Sequence, residues 1–167
     1  MSNVVISDSI KYIGADDTTL DLFESQYQIP HGVSYNSYVI LDEKIAVMDT
    51  IDARKGDEWM ANLETVLAGR TPDYLVISHL EPDHAANIKR LADHFPEMKL
   101  VLSAKAKAML PQFFDIANLN DRCITVAEGN ELELGSHKLK FFMAPMVHWP
   151  EVMVEYEETE KVLFSAD

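Results

Sequence analysis

Residues 74–84 read Tyr74-Leu75-Val76-Ile77-Ser78-His79-Leu80-Glu81-Pro82-Asp83-His84. The first five form a short apolar run of the kind found in a buried strand. Beyond them Ile88, Leu91 and Ala92 predict a helix from about Asp83 to His94, ending before Pro96. Between strand and helix, four potential metal ligands fall within six residues. In an extended segment residues two apart point the same way, so His79, Glu81 and Asp83 can share a face. Pro82 biases Glu81 towards an extended backbone, and His84 lies where the chain turns into the helix and can swing to the same side. Taken singly these residues have plain structural readings: Asp83 as a helix N-cap, Glu81 and His79 as solvated loop residues. Together, at the C-terminal end of a strand, they point to metal. Carboxylates can bridge two close cations and offset their repulsion, and imidazole with added carboxylate favours Fe or Mn over a thiolate-type zinc site.

Working outward, strand-like runs occur at Val4 to Ile6, Lys11 to Ile13, Ser34 to Leu41 and Ile45 to Met48, the last two forming a hairpin across Asp42-Glu43-Lys44. Trp59, Leu63, Val66 and Leu67 predict a helix between Asp57 and Ala68 with Gly69 as its stop. The strand Lys99 to Ser103 leads into a helix rich in Ala, Lys and Met. Strands then dominate: Cys123 to Val126, Leu132 to Leu134, Leu139 to Ala144, Val152 to Tyr156 and Val162 to Ser165, with a hairpin turn at Gly135-Ser136-His137. Strands with interspersed helices predict a layered α/β fold. Repeats, low-complexity tracts and linkers are absent, so residues 1–167 read as one continuous unit.

The 28 acidic residues against 14 basic ones give a formal charge of −14, which argues against a nucleic-acid surface. No apolar run has the length of a membrane span and the start lacks a basic-then-apolar leader, so the expectation is a cytoplasmic protein with no membrane partner. Cys123 is the single cysteine, which rules out an intrachain disulfide and a thiolate-rich metal site and reads as a small apolar filler. The sequence stops at Asp167, directly after Val162-Leu163-Phe164 and without a polar tail. That ending reads as a fragment, or as a chain whose other half is supplied separately.

The loop at 79–84 resembles the H-x-H-x-D-H metal loop of the metallo-β-lactamase superfamily, with Glu81 where hydrolases carry the second His. That replacement resembles the flavodiiron proteins, also called A-type flavoproteins. Further segments are similar in the same order: Ser34-Tyr35-Asn36-Ser37-Tyr38-Val39-Ile40 followed by Asp49-Thr50, then Ala144-Pro145-Met146-Val147-His148-Trp149-Pro150, then Phe164-Ser165-Ala166-Asp167. The resemblance implies the N-terminal portion of a metallo-β-lactamase-like αββα sandwich. It implies two Fe ions, one held by His79, Glu81 and His148, the other by Asp83 and His84, with Asp167 bridging. It further implies reduction of O2 to water or of NO to N2O, with electrons from FMN on a flavodoxin-like domain, a redox donor such as rubredoxin, and a head-to-tail homodimer.

The family's later His ligand and its FMN domain have no counterpart in these residues. Where many relatives carry F-H-G, this sequence reads Leu22-Phe23-Glu24-Ser25-Gln26-Tyr27. Trp149 reads as packing, His94 and His137 as surface residues, and His31, beside Gly32, as a residue that could face the site. A metal-dependent hydrolase of the metallo-β-lactamase type is the rival reading, and Glu81 stands against it. A third is a non-catalytic metal-binding or dimerisation module.

Overall fold

The strand Tyr74–Ile77 is buried at all four residues because it has a partner layer on each face. Leu75 and Ile77 join one apolar cluster with residues such as Trp59 and Leu91, whereas Val76 joins another with Phe141 and Met153. This is the alternation a pleated strand imposes when both faces are covered. The computed structural model describes residues 4–23 and 25–166.

Six strands form the first sheet in chain order: β1 (Ile10–Tyr12), β2 (Tyr38–Ile40), β3 (Ala46–Met48), β4 (Tyr74–Ile77), β5 (Lys99–Ser103) and β6 (Cys123–Val126). The β1–β2 and β2–β3 pairs are antiparallel, and β3 through β6 run parallel. The parallel strands are linked through helices, as parallel pairing requires: α1 (Gly56–Leu67), then the short α2 (Pro82–Ala85) and α3 (Ile88–His94), then α4 (Ala104–Met109) and α5 (Leu119–Arg122). The second sheet is antiparallel throughout: β7 (Glu131–Glu133), β8 (Lys138–Met143), β9 (Met153–Glu157) and β10 (Val162–Phe164). Helical residues contribute to the first cluster, and among the described residues none belongs to the cluster between the sheets. The layers are therefore helix, sheet, sheet, an α/β arrangement of the metallo-β-lactamase kind.

Several expected elements differ in detail. Val4 to Ile6 contributes only a bridge from Val5 to Lys11. The run Ser34 to Leu41 is two strands: Val33–Tyr35 pairs with Ala15–Asp17 in a small ribbon, and Tyr38–Ile40 enters the main sheet. The break is fixed at Ser37, whose carbonyl accepts from Ile13 N at 2.9 Å and whose hydroxyl donates to Asp49 O at 3.0 Å. The helix expected over 83–94 divides at Asn87, whose side-chain amide donates to Ile51 O at 2.7 Å. The α1 helix ends as expected, with Ala68 left-handed at φ 49 followed by Gly69 at φ 88.

Candidate metal centre

Parallel strands align their C-terminal ends, and in an open α/β sheet that edge is where ligands collect. Met48 is in register with Val76 and Ile77 with Leu102, so Asp49, Ser78 and the loop after Ser78 emerge together. Glu81 has φ −63 and ψ 146, the extended backbone expected before Pro82, and takes the N-cap position of α2. Asp83 is therefore in the first helical turn, not at the cap.

The structure brings His79, Glu81 and His148 together, with one ligand atom from each lying within 4.8 Å of the others. Glu81 Oε2 is 3.0 Å from His79 Nε2 and 2.7 Å from His148 Nε2. His79 is fully buried and Glu81 nearly so, while the His148 side chain is 56% exposed at the mouth. Beside this group, His84 Nε2 is 3.7 Å from Asp83 Oδ2, and the His84 ring lies 5.4 Å from that of His79. Asp167 lies outside the described residues.

Two carboxylates that the sequence reading gave no role hold the imidazoles in place. Glu151 Oε1 accepts from Leu80 N at 2.9 Å and lies 2.8 Å from His79 Nδ1. Asp49 Oδ1 accepts from Ser78 N at 2.7 Å, and its Oδ2 lies 3.3 Å from His84 Nδ1. An ionised carboxylate only accepts, so each contact favours a ring proton on Nδ1, and in that tautomer Nε2 can serve as a metal ligand. Asp49 adopts φ 53, a left-handed conformation that Asp tolerates better than most residues. Backbone bonds to Val76 O and from Ser37 Oγ hold it there. Trp149 closes one wall, its ring edge-on to His79 at 5.3 Å.

The donor set fits a cation. Nε2 of His79, Nε2 of His148 and Oε2 of Glu81 converge on one point, and a cation there would take the place of the protons that link the two imidazoles to Glu81. Burial pushes the His79 imidazole down, but hydrogen bonds to Glu151 and Glu81 outweigh it, leaving its affinity for a proton raised. Burial pushes Glu151 up, and its bonds from His79 and Leu80 N outweigh that and hold it below the ordinary glutamate value. A second group, Asp83 and His84, stands beside the first, which suits a pair of ions. A cavity of about 280 Å³ lined by Leu22, Phe23, Tyr35, Arg54, Glu81 and Asp83 opens beside the loop.

Other expectations resolve separately. His31 is exposed in a depression with Asp16, Thr18 and Ser34 that shares no lining residue with the metal loop. His94 is on the surface, 3.8 Å from Glu64. His137 is not a surface residue: it is buried, with Nδ1 2.8 Å from Asp42 and Nε2 3.1 Å from Glu160. Its local turn gave no sign of this, because Asp42 comes from the β2–β3 hairpin. Cys123 is half-buried and packs against the helix-side core. No helix among the described residues is long and apolar enough to cross a membrane.

A helix-covered, mostly parallel sheet facing a second sheet, with a His-x-Glu-x-Asp-His loop at the strand ends, defines a metallo-β-lactamase-like domain with a carboxylate-rich candidate metal centre. The family described as "ODP family beta lactamase" matches residues 33–167, and the chain belongs to that family. Its relatives are flavodiiron proteins. The flavo-diiron protein FprA2 of Clostridium acetobutylicum is 31% identical over 168 residues, covering 100% of this chain and 42% of the relative. The anaerobic nitric oxide reductase flavorubredoxin of Vibrio vulnificus is 31% identical, covering 97% of this chain and 33% of the relative. The solved rubredoxin oxygen:oxidoreductase of Desulfovibrio gigas superposes with a TM-score of 0.85 at 32% identity, covering 96% of this chain and 39% of that one. The chain thus spans less than half the length of these proteins.

Proposed function

We propose that residues 1–167 belong to the di-iron domain of a reductase that converts O2 to water, NO to N2O, or both. In this reading His79, Glu81 and His148 hold one iron, Asp83 and His84 the other, and Asp167 bridges them. Electrons come from FMN on a flavodoxin-like domain in a head-to-tail homodimer, supplied by a redox protein such as rubredoxin. The observation that carries the reading is Glu81: an anionic oxygen touches both His79 and His148 where a hydrolase presents a neutral imidazole. The names of the relatives, a nitric oxide reductase and an oxygen oxidoreductase, support the same chemistry.

When bound, two iron ions supply Lewis-acid stabilisation of developing negative charge and the electrons for reduction. The chain's own residues set up that chemistry. Glu151 and Asp49 hold the two imidazoles in place through Nδ1, Trp149 packs against the His79 ring, and Leu22 and Phe23 give the cavity one apolar wall alongside the charged Asp52, Arg54, Glu81 and Asp83.

The complete natural protein, grown with iron, is expected to contain about two irons per chain and to consume O2 or NO with a reduced flavin donor. Replacing Glu81 with Ala should lower iron content and abolish gas reduction. A protein that carries zinc, hydrolyses thioesters and reduces neither gas would overturn the proposal in favour of a hydrolase.

A further inference from the structure

Glu155 lies on β9 in the interface between the sheets and is 0% exposed. Across the β9–β10 pair it is in register with Phe164, and across the β8–β9 pair with Phe141, so its walls are aromatic. Its polar company is sparse. Ser78 Oγ donates to Glu155 Oε2 at 2.9 Å, while Oε1 is buried with no hydrogen-bond partner. Among the described residues Glu155 forms no ion pair. An ionised carboxylate in such a setting would carry a large desolvation cost, so the neutral acid is favoured. Burial, and then the nearby charge of Asp49, both push its affinity for a proton well up, and the single bond from Ser78 opposes them only in part.

Ser78 connects this group to the metal centre. Its hydroxyl touches Glu155, its backbone N donates to Asp49 Oδ1 at 2.7 Å, and Ser78 is among the residues that line a cavity of about 60 Å³ with Asp49, His84, Tyr38 and Phe164. That space is polar on the Asp49–His84 side and large enough for water. Reduction of O2 to water and of NO to N2O each consume one proton for every electron, so a site of this kind needs protons held close by.

We propose that Glu155 is a buried carboxylic acid that stores a proton for the metal centre and exchanges it through Ser78 Oγ with the Asp49–His84 cavity. In the transfer the Ser78 hydroxyl first turns its O–H from Glu155 Oε2 towards a water oxygen in the cavity; the Glu155 O–H bond then breaks and its proton passes to Ser78 Oγ as Ser78 gives its own proton to that water, which carries it on as hydronium. The carboxylate left behind, beside Asp49, is a strong base and recovers a proton by the reverse sequence. No electron moves at Glu155. The residue acts through Ser78 and is a positioning group for protons, not one that contacts the ions. The delivery role rests on the reductase reading above; the stored proton and its relay do not.

Infrared spectroscopy of the complete metal-loaded protein tests the inference at neutral pH. The wild type is expected to show the carbonyl band of a buried protonated carboxylic acid, and Glu155→Gln to lack it. In D2O the band should shift without unfolding, and Ser78→Ala should slow that exchange about tenfold or more. Glu155→Gln, with iron content and thermal midpoint matched to wild type, should slow gas reduction about tenfold or more and reduce its solvent isotope effect. Absence of the band, or an exchange rate untouched by Ser78→Ala, overturns the relay. Full turnover in Glu155→Gln overturns the delivery role. If the wild type reduces neither gas, the function proposed above fails and delivery fails with it, while the two infrared results still decide the proton store.

Discussion

Glu151 gives the sharpest test of how the metal centre is built, because it is expected to act on metal affinity without being a ligand. Its side chain is fully buried and Oε1 serves two donors, His79 Nδ1 at 2.8 Å and Leu80 N at 2.9 Å. Replacing it with Ala frees the His79 ring to rotate and to change tautomer, so Nε2 is no longer fixed inward. Loss of such an outer partner typically weakens metal binding by about 10- to 100-fold, or roughly 1.4–2.8 kcal/mol. The same change leaves Leu80 N without its acceptor, at a cost of about 1–3 kcal/mol to the metal-free fold. Glu151→Gln keeps an acceptor oxygen but removes the charge, and is expected at the lower end of both ranges.

The assay is a titration of iron or cobalt against a competing chelator, run beside urea unfolding of the metal-free protein. Comparing Ala with Gln separates the two effects. A stability loss shared by both forms, metal-free and loaded, with affinity unchanged within about twofold, would mean that Glu151 only buttresses the loop. That outcome would refute the claim that the Nδ1 contact sets the ligand.

The His137 cluster should make stability depend on pH in both directions. Burial pushes Asp42 up, but bonds from the His137 ring and backbone, Glu43 N and Ser136 outweigh it and bring it down to about 2. Glu160 is also lowered, first by Ser7 and then by His137. These acids stabilise the fold above the unfolded carboxylate range, and that stability is lost as pH falls through their depressed folded values. His137 shifts the opposite way: burial lowers it, Asp42 and Glu160 outweigh this, and the net change is upward. Its contribution is complete below the unfolded imidazole value and is lost as pH rises through the raised folded one. Asp42→Asn should cost about 2 kcal/mol at mildly acidic pH and flatten both limbs, read by urea midpoints across pH; a profile parallel to wild type would contradict the assignment. Ala68→Gly should stabilise by roughly 0.5–1 kcal/mol, since Ala carries a left-handed penalty at the α1 cap that Gly lacks; an unchanged or lower midpoint would show that the cap is not strained. Cys123→Ala should leave metal loading intact, because burial pushes its thiol up and away from the thiolate form; lost loading would reveal a role in the centre.

What the sequence disclosed and what it concealed divide according to how far apart the partners lie. The loop at 79–84 was legible because its chemistry is local: His79 and Glu81 are two residues apart, and Pro82 sets the extended backbone of Glu81 before it. His148 became legible only through the resemblance of its flanking residues, since on its own it is a histidine at the end of a strand. Glu151, Asp49 and Glu155 carried no local mark among so many acids. Each is defined by a partner far along the chain: His79 at 72 residues, His84 at 35 and Ser78 at 77. His137 was misread for the same reason, with Asp42 95 residues away. The strands were found nearly where they are, yet the division into two sheets was legible only through the family resemblance, because the period of two that marks a strand says nothing about which sheet receives it. Register is the missing quantity. Once Met48 is paired with Val76, Asp49 must emerge beside Ser78. Once Glu155 is paired with Phe164, its side chain must enter the space between the sheets, where Ser78 is the hydroxyl that meets it. The loop thus shows locally which residues could hold a metal, and strand pairing decides which distant acids, Glu151, Asp49 and Glu155, are brought in behind them.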